Sequence, residues 1–243
     1  MKGDMEATAE QTRQIEQWNE VLKGRTAEEV TGYFLDHFGQ EIVLSSSMGQ
    51  EDQVLTHMVC SHNRDAEIFT LDSGRLFPET YELIDRTNQH FGIRIRVYYP
   101  DARKVEGMVS RHGVNLFYES VENRKLCCGI RKVAQLPRAF SGKRAWICGL
   151  RKDQSVARFF NKLVEWDDAN GLIRINPLIN WSEKEVRAYI EEHRIPYNEL
   201  HDKGYPSIGC QPCTRAIAPG EDVRAGRWWW ENEDQKECGL HKR

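Results

Sequence analysis

Short apolar runs alternate along the chain with longer stretches in which apolar residues recur every three or four positions. The short runs are rich in Ile, Val and Leu and are bounded by polar residues or glycine, which is typical of buried strands. They predict strands within residues 41–47, 66–72, 93–99, 144–150 and 172–179.

The intervening stretches have the period of amphipathic helices. Val30, Phe34 and Phe38 fall on one helical face. Ser182 and Glu185 have the spacing of a capping box, in which each side chain bonds the other residue's backbone N–H at a helix start. The pattern predicts two helices between about residues 8 and 38, and others at 52–60, 79–91, 101–113 and 181–194.

Strands that alternate with helices predict a doubly wound, mostly parallel α/β sheet with helices on both faces. Ligands of such sheets bind beyond the carboxyl ends of the strands. The polar segments 45–52, 72–75 and 149–158 follow predicted strands and therefore meet at that edge. We predict one α/β domain over residues 1–209, including N-terminal helices at 1–39, followed by a C-terminal segment at 210–243.

The overall composition narrows the class of protein. The 243 residues carry a formal net charge of −3, so no overall basic excess points to a nucleic-acid partner. No apolar stretch approaches the roughly 18 residues of a membrane span, and the N-terminal residues lack the pattern of a signal peptide. We expect a cytoplasmic protein with neither a nucleic-acid nor a membrane partner. A homo-oligomer remains open.

The segment 45–52 reads SSSMGQED and joins a predicted strand to a helix. Its hydroxyl groups and the amides of the helix start are donors for an anion, and Gly49 lets the backbone approach a phosphate closely. Ser45, Ser46, Gly49 and Asp52 are therefore candidate substrate-binding residues. The alternative is an ordinary turn between a strand and a helix, because the segment lacks the Lys-Ser/Thr of a Walker loop.

Four of the seven cysteines form two close pairs, Cys127 with Cys128 and Cys210 with Cys213. In a reducing compartment such pairs indicate metal or thiol chemistry rather than disulfides. Four thiolates suit either zinc or an iron–sulfur cluster, and the adjacent pair favours the cluster because it is awkward for a zinc knuckle. The alternative is a buried Cys-Cys pair and a redox-active Cys-x-x-Cys.

Basic residues are concentrated near these motifs. Lys132 follows the first cysteine pair, and an arginine-rich stretch comes after the strand at 144–150. Arginine matches the oxygens of phosphate or sulfate, so an anionic substrate is one interpretation and a solvated basic surface is the other. The three tryptophans at 228–230 are expected mainly to pack the tail against the body. The candidate substrate-binding arginines are Arg151, Arg158, Arg224 and Arg227.

Cys238 lies near the end of the sequence, among Lys236, His241 and two further basic residues. Cations lower the pKa of a thiol and so favour its reactive thiolate. A mobile tail could carry such a thiol into a pocket and out again to another protein. The alternative is an exposed cysteine without a role.

Seven segments together resemble the iron–sulfur adenylyl-sulfate reductases of the phosphoadenylyl-sulfate reductase family. The resemblance extends from about residue 40 to residue 241. The segments are SSSMGQED, LDSGRLFPETY, CCGIRKV, GLRKDQS, GCQPCTR, GRWWWE and ECGLH.

The resemblance implies an adenine-nucleotide α-hydrolase-like fold, whose modified PP-loop (45–52) binds the phosphosulfate end of adenosine 5′-phosphosulfate. It implies that Cys238 is the nucleophile and forms a Cys S-sulfonate, which thioredoxin or a glutaredoxin-like donor then reduces. Sulfite would be released for cysteine biosynthesis. The residues that it implies are Cys127, Cys128, Cys210 and Cys213 for a [4Fe–4S] cluster, Lys132, Arg151, Arg158, Arg224, Arg227 and His241 for the substrate, and Leu71 and Gly149 for adenosine.

Three rivals stay open on the sequence. The substrate could carry a 3′-phosphate, or both nucleotides could be accepted. A tRNA-thiolating ATP pyrophosphatase shares the PP-loop, although that class has a second glycine there. A zinc-binding interaction module would use the tryptophans at 228–230 as its contact patch.

Overall fold

A six-stranded sheet forms the centre of the computed structural model, which describes residues 6–154 and 160–232. The strand order is β3-β2-β1-β4-β6-β5, and all neighbours are parallel except β5 and β6. This arrangement confirms the predicted, mostly parallel α/β class. The strands are β1 (Ile42–Ser45), β2 (Ile68–Leu71), β3 (Arg96–Tyr98), β4 (Ala145–Ile147), β5 (Val164–Asp167) and β6 (Leu172–Ile175).

Eight α-helices in the described ranges surround the sheet, and every predicted helix is present. Thr8, Thr26 and Ser182 each start a helix with a complete capping box, as predicted for Ser182. The helices are α1 (Ala9–Val21), α2 (Ala27–Phe38), α3 (Gln50–His62), α4 (Pro78–Phe91), α5 (Ala102–His112), α6 (Val121–Arg131), α7 (Leu136–Ala139) and α8 (Glu183–His193). No helix in the described part of the chain is long and apolar enough to cross a membrane.

Side chains of β1 alternate between the two faces of the sheet. Ile42 and Leu44 belong to the core beneath α1, α2, α3 and α8, whereas Val43 belongs to the core on the opposite face. This two-residue period follows from the pleat of a strand. In parallel register, Leu44 lies opposite Ile68 of β2 and Ile147 of β4, so β1 is covered on both edges and both faces.

The edge strand β5 was not predicted from the sequence. It forms an antiparallel hairpin with β6 around Gly171, whose φ is +67° and whose N–H bonds to the Asp167 carbonyl at 2.7 Å. The free edge is covered at Val164 by Asn19 of α1. The Asn19 amide donates to the Val164 carbonyl at 2.9 Å and accepts from the Val164 N–H at 3.1 Å. A side chain thus takes the place of a seventh strand there.

The strand order reverses between β1 and β4. Chain connections leave β1 towards β2 and β3 on one side, and lead to β4 and β6 on the other. The loops beyond the carboxyl ends of β1 and β4 diverge at such a point and leave a crevice, where ligands of this architecture bind. The predicted boundary between residues 209 and 210 stays a prediction.

Candidate active site

A cavity of about 210 Å³ lies at this reversal, beyond the carboxyl ends of β1, β2 and β4. Its wall contains ten of the residues predicted to bind substrate: Ser45, Ser46, Gly49, Asp52, Leu71, Lys132, Gly149, Arg151, Arg224 and Arg227. Three further predicted residues, Arg158, Cys238 and His241, lie outside the described residues. Segments far apart in sequence therefore meet on one surface.

The loop after β1 bonds its own backbone amides within the protein and leads into the start of α3. The Ser46 N–H continues the sheet by bonding the Phe69 carbonyl at 2.8 Å. Met48 is left-handed (φ +63°), and its N–H bonds to Ser46 Oγ at 3.1 Å, so the chain turns sharply before α3. Helix α3 begins after Gly49 without a side-chain cap. Its first amides are therefore suited to an anion.

Asp52 holds this loop in place from within. Its Oδ2 accepts hydrogen bonds from the Ser47 N–H at 2.6 Å and the Ser47 hydroxyl at 2.7 Å. Burial raises the pKa of Asp52 to about 6, even though the bonds from Ser47 act in the opposite direction. Asp52 was predicted to bind substrate, but its described contacts orient the loop.

Gly149 brings the end of β4 against the first turn of α3. A Cβ on Gly149 would lie 2.6 Å from Asp52 Oδ1 and 2.8 Å from Glu51 Cβ, which is closer than such atoms pack. The strand pattern placed Gly149 at this edge of the sheet, and the resemblance assigned it to adenosine. The structure supplies a steric reason for glycine, which is close approach rather than an unusual backbone angle.

Arg151 already has an acidic partner in the cavity wall. Its Nε donates to Glu51 Oε1 at 2.8 Å, and both side chains are largely buried. Sequence reasoning assigned Arg151 to the substrate and overlooked Glu51. The pairing indicates that Arg151 joins the loop after β4 to α3 as well as lining the cavity.

Arg227 also lines the cavity, and its side chain contacts Gly209 and Trp228. Its guanidinium occupies the space that a Cβ on Gly209 would need, and it lies 4.7 Å from the centre of the Trp228 ring. Its buried Nε has no hydrogen-bond partner within residues 6–154 and 160–232. The geometry leaves this donor for a ligand or a water molecule.

The four paired cysteines come together in a separate apolar cluster beside the cavity. Cys127 and Cys128 of α6 pack with Cys210 and Cys213 among Met108, Leu116, Phe117 and Trp228. Within the described part of the chain, no group of three or more His, Cys, Asp or Glu side chains is arranged to hold a metal ion. The thiols nevertheless interact electrostatically, because the other three contribute to the raised pKa of Cys213.

The cluster and the cavity share their cations. Burial by itself raises the pKa of Cys210, but Lys132, the Ser73 hydroxyl and Arg227 outweigh it, so the pKa falls below its ordinary value. Burial and the neighbouring thiols instead raise the pKa of Cys213 to about 12. Lys132 and Arg227 thus act on a thiol of the cluster and also line the cavity.

The loop after β2 anchors the Cys-x-x-Cys segment, a role that sequence reasoning did not assign. Ser73 Oγ lies 3.0 Å from Cys210 Sγ, and the Gln211 N–H donates to the Arg75 carbonyl at 2.8 Å. Arg131 donates to the Ser73 carbonyl at 2.7 Å from the end of α6. The motif LDSGRLFPETY carried the signal, but only the structure shows that it touches the cysteines.

The segment 224–231 closes over the cluster through a buried ion pair. Arg124 Nε and Nη2 donate to the two oxygens of Glu231 at 2.9 and 2.7 Å, and these side chains are only 1% and 2% exposed. The Arg124 guanidinium also lies 4.6 Å from the centre of the buried Trp228 ring. Trp230 donates from its indole N–H to the Phe117 carbonyl at 3.1 Å. The expected packing of tryptophans onto the body is confirmed for these two.

A family model described as the phosphoadenosine phosphosulfate reductase domain matches residues 41–216, from β1 through the second cysteine pair. The chain belongs to this reductase family. Membership confirms the resemblance inferred from the motifs, and it favours a reductase over the tRNA-thiolating and zinc-module rivals.

Relatives and solved structures agree with this placement. A protein from Allochromatium vinosum named adenosine 5′-phosphosulfate reductase is 55% identical over 202 residues, which are 83% of this chain and 79% of that protein. Another of that name from Agrobacterium fabrum is 48% identical over 86% of this chain and 80% of its own length. The crystal structure of phosphoadenylyl-sulfate reductase from Candida auris, a phosphate complex, matches with a TM-score of 0.73 and 28% identity over 88% of this chain and all of that one.

We predict that the Gly149→Ala substitution destabilises this reductase. The added methyl group would force Asp52 and the start of α3 apart, and overpacking of this kind costs about 1–3 kcal/mol of unfolding free energy. Urea unfolding under anaerobic conditions measures the change. Gly107→Ala in α5 is the matched control, because its Cβ would meet no atom within 4 Å. Equal stability of the two variants would contradict the close approach.

We predict that Glu231→Gln loosens the segment over the thiol cluster. It leaves the Arg124 charge buried without its counter-ion, which typically costs about 3–5 kcal/mol. Hydrogen exchange of the Trp228 amide, which bonds to the Cys213 carbonyl, should accelerate at least about a hundredfold. Glu221→Gln is the control, because its partner Arg215 is 38% exposed and such pairs contribute under about 1 kcal/mol. Similar effects of both substitutions would exclude a special role for the buried pair.

Proposed function

We propose that this chain reduces adenosine 5′-phosphosulfate to sulfite and AMP in sulfate assimilation, for cysteine biosynthesis. The chain is then an oxidoreductase that acts on sulfur. The observation that carries the proposal is the position of Lys132 and Arg227, which line the cavity and also act on Cys210 in the cluster of four thiols. The relatives named for this reaction support the choice of substrate.

The cavity has separate surfaces for the two ends of this nucleotide. Leu71 and other apolar side chains suit an adenine ring, and the loop 45–49 with the start of α3 suits the phosphate. Lys132, Arg224 and Arg227 provide cations for the sulfate group. Arg158 and His241 complete the proposed set, and they lie outside the described residues.

Cys238 is the proposed nucleophile. Its thiolate attacks the sulfur of the sulfate group, the bond between that sulfur and the bridging phosphate oxygen breaks, and AMP leaves with the electron pair. The product on the enzyme is a Cys S-sulfonate. Five residues lie between Asn232 and Cys238, and the six steps along the chain span at most about 20 Å. A thiol so placed can reach both the cavity and a second protein.

Thioredoxin, or a glutaredoxin-like protein, is the proposed reductant. One of its thiolates attacks the Cys238 sulfur, and sulfite leaves as a mixed disulfide forms. Its second thiol resolves that disulfide and restores the Cys238 thiol. The dithiol is oxidised by two electrons and the sulfur of the sulfonate is reduced by two, so the reaction balances without another donor.

A [4Fe–4S] cluster fits the four clustered thiols. Such a cluster would take one cysteine thiolate on each of its four irons, so the four sulfurs need not converge on one point. Burial and neighbouring thiols raise the pKa values of Cys127 and Cys213 and so disfavour their thiolates, and the positive charge of iron would offset this cost. Cys127, Cys128, Cys210 and Cys213 would be the ligands. When bound, the cluster would supply fixed charge beside Lys132 rather than the electrons of the reaction.

The 3′-phosphorylated nucleotide is the alternative substrate, alone or together with adenosine 5′-phosphosulfate. The similar Candida auris structure is named for that substrate, at 28% identity. The relatives named for adenosine 5′-phosphosulfate are 45–55% identical, which favours the unphosphorylated ribose. The ratio of kcat/KM for the two nucleotides distinguishes the candidates.

We predict that mixing the anaerobic protein with adenosine 5′-phosphosulfate, without a reductant, adds one sulfonate to Cys238. Intact-mass analysis followed by peptide mapping locates the group, and reduced thioredoxin should discharge it as sulfite. Cys238→Ser should remain unmodified, whereas Cys60→Ala is the control for a cysteine in α3 away from the cavity. A folded, iron-containing protein that stays unmodified would overturn the proposed mechanism.

We predict that Lys132→Ala lowers kcat/KM while the protein keeps its iron and labile sulfide. A cation aimed at the developing negative charge typically contributes a factor of about 10²–10³ in turnover. Lys125→Ala in α6 is the matched control, since this lysine is exposed and does not line the cavity. Wild-type rates in Lys132→Ala would end the assignment. Zinc in place of iron in the wild-type protein would reject the cluster.

A further inference from the structure

The cavity wall contains a histidine that the proposed reaction does not use. His201 lies in the short 3₁₀ helix Glu199–Lys203, and it lines the cavity together with Leu76, Thr80 and Pro206. This turn is held by Asn198. The Asn198 side chain donates to Thr80 Oγ1 at 3.1 Å and accepts from the Leu200 N–H at 3.0 Å. The imidazole is therefore mounted on a turn fixed against α4.

One ring nitrogen of His201 is buried and unsatisfied. Nε2 has no hydrogen-bond partner within the described ranges. Burial lowers the pKa of His201, although Glu51, the backbone of Tyr205 and Asp202 act in the opposite direction, so the ring is neutral near pH 7. A neutral imidazole carries its one proton on either Nδ1 or Nε2, and the other nitrogen accepts hydrogen bonds. With that proton on Nδ1, Nε2 is an acceptor.

Other polar groups of the cavity are mainly donors or are already engaged. The Ser45 hydroxyl, the first amides of α3 and the cations suit the oxygens of a phosphosulfate. The two carboxylates nearest the loop bond elsewhere, Asp52 to Ser47 and Glu51 to Arg151. With its proton on Nδ1, His201 therefore adds something different, an acceptor at the buried Nε2.

Adenosine 5′-phosphosulfate has hydrogen-bond donors only in its adenosine part. These are the 6-amino group of adenine and the 2′ and 3′ hydroxyls of the ribose, since the phosphosulfate is fully ionised near pH 7. A buried acceptor rejects a ligand that lacks the matching donor, because the acceptor then stays unpaired.

We propose that His201 is a specificity residue that recognises adenosine, with Nε2 accepting a hydrogen bond from the adenine amino group or a ribose hydroxyl. The identity of the nucleotide rests on the proposed function. The residue binds the ground state and does not touch the reacting sulfur. Its loss should therefore raise KM and leave kcat nearly unchanged.

The test compares ligands and variants in one set of titrations of the iron-loaded protein. The ligands are AMP and three analogues that each lack one donor: purine riboside 5′-monophosphate, 2′-deoxy-AMP and 3′-deoxy-AMP. His201→Phe keeps a ring of similar size without an acceptor, and His201→Gln offers an amide oxygen instead. His112→Phe, at the exposed end of α5, is the control for the substitution itself.

We expect His201→Phe to bind AMP about ten- to a hundredfold more weakly than the wild type. In the wild type, one analogue should bind more weakly than AMP by a similar factor. His201→Phe should bind that analogue and AMP equally well. That analogue identifies the donor. His201→Gln should recover part of the affinity, and His112→Phe should match the wild type.

Two results would overturn the proposal. In one, His201→Phe discriminates among the four ligands as the wild type does. In the other, it lowers kcat without raising KM. A wild type that binds none of the four ligands would instead reject the proposed function, and the adenosine site of His201 with it. If the wild type binds AMP and forms the Cys238 sulfonate, but His201→Phe discriminates among the ligands as the wild type does, this inference alone would be rejected.

Discussion

The contact between the end of β4 and the first turn of α3 governs the arrangement of the cavity. Gly149 lies against Asp52 and Glu51 with no room for a side chain. Asp52 in turn holds Ser47, and Glu51 holds Arg151, so the loops on both sides of the strand-order reversal are joined through two neighbouring carboxylates. The two loops that border the crevice of the α/β sheet are thereby held against each other.

The second half of the site depends on cations shared between the cavity and the thiol cluster. Lys132 and Arg227 reduce the cost of negative charge on Cys210, and the same groups face the space proposed for the sulfate. Arg124 and Glu231 keep the segment 224–231 over the cluster from inside the protein. A buried pair of this kind is costly to break because either charge alone would remain desolvated. The thiol cluster, the closing segment and the cavity are therefore joined through shared side chains.

Several features were predictable because they are local. Apolar runs in the sequence predicted the strands β1, β2, β3, β4 and β6, and the Ser182 capping box predicted the start of α8. The paired cysteines and the loop 45–52 were recognisable as motifs, and the described members of the predicted substrate set lie on one cavity. The edge strand β5 was missed. It is short, and its partner for Val164 is the Asn19 side chain, 145 residues away.

The sequence by itself determined the fold class, the family and the candidate chemistry, because hydrophobic period and motif spacing are properties of neighbouring residues. Tertiary structure decided what each polar group does. The sequence suggests that Asp52 and Arg151 contact a ligand. In the structure Asp52 is hydrogen-bonded to Ser47, and Arg151 is paired with Glu51. His201 belongs to no motif. Only the folded chain places it at the cavity with a buried Nε2 that has no hydrogen-bond partner among the described residues. The reason is physical: hydrogen-bond partners, burial and pKa depend on distances between segments that only folding brings together.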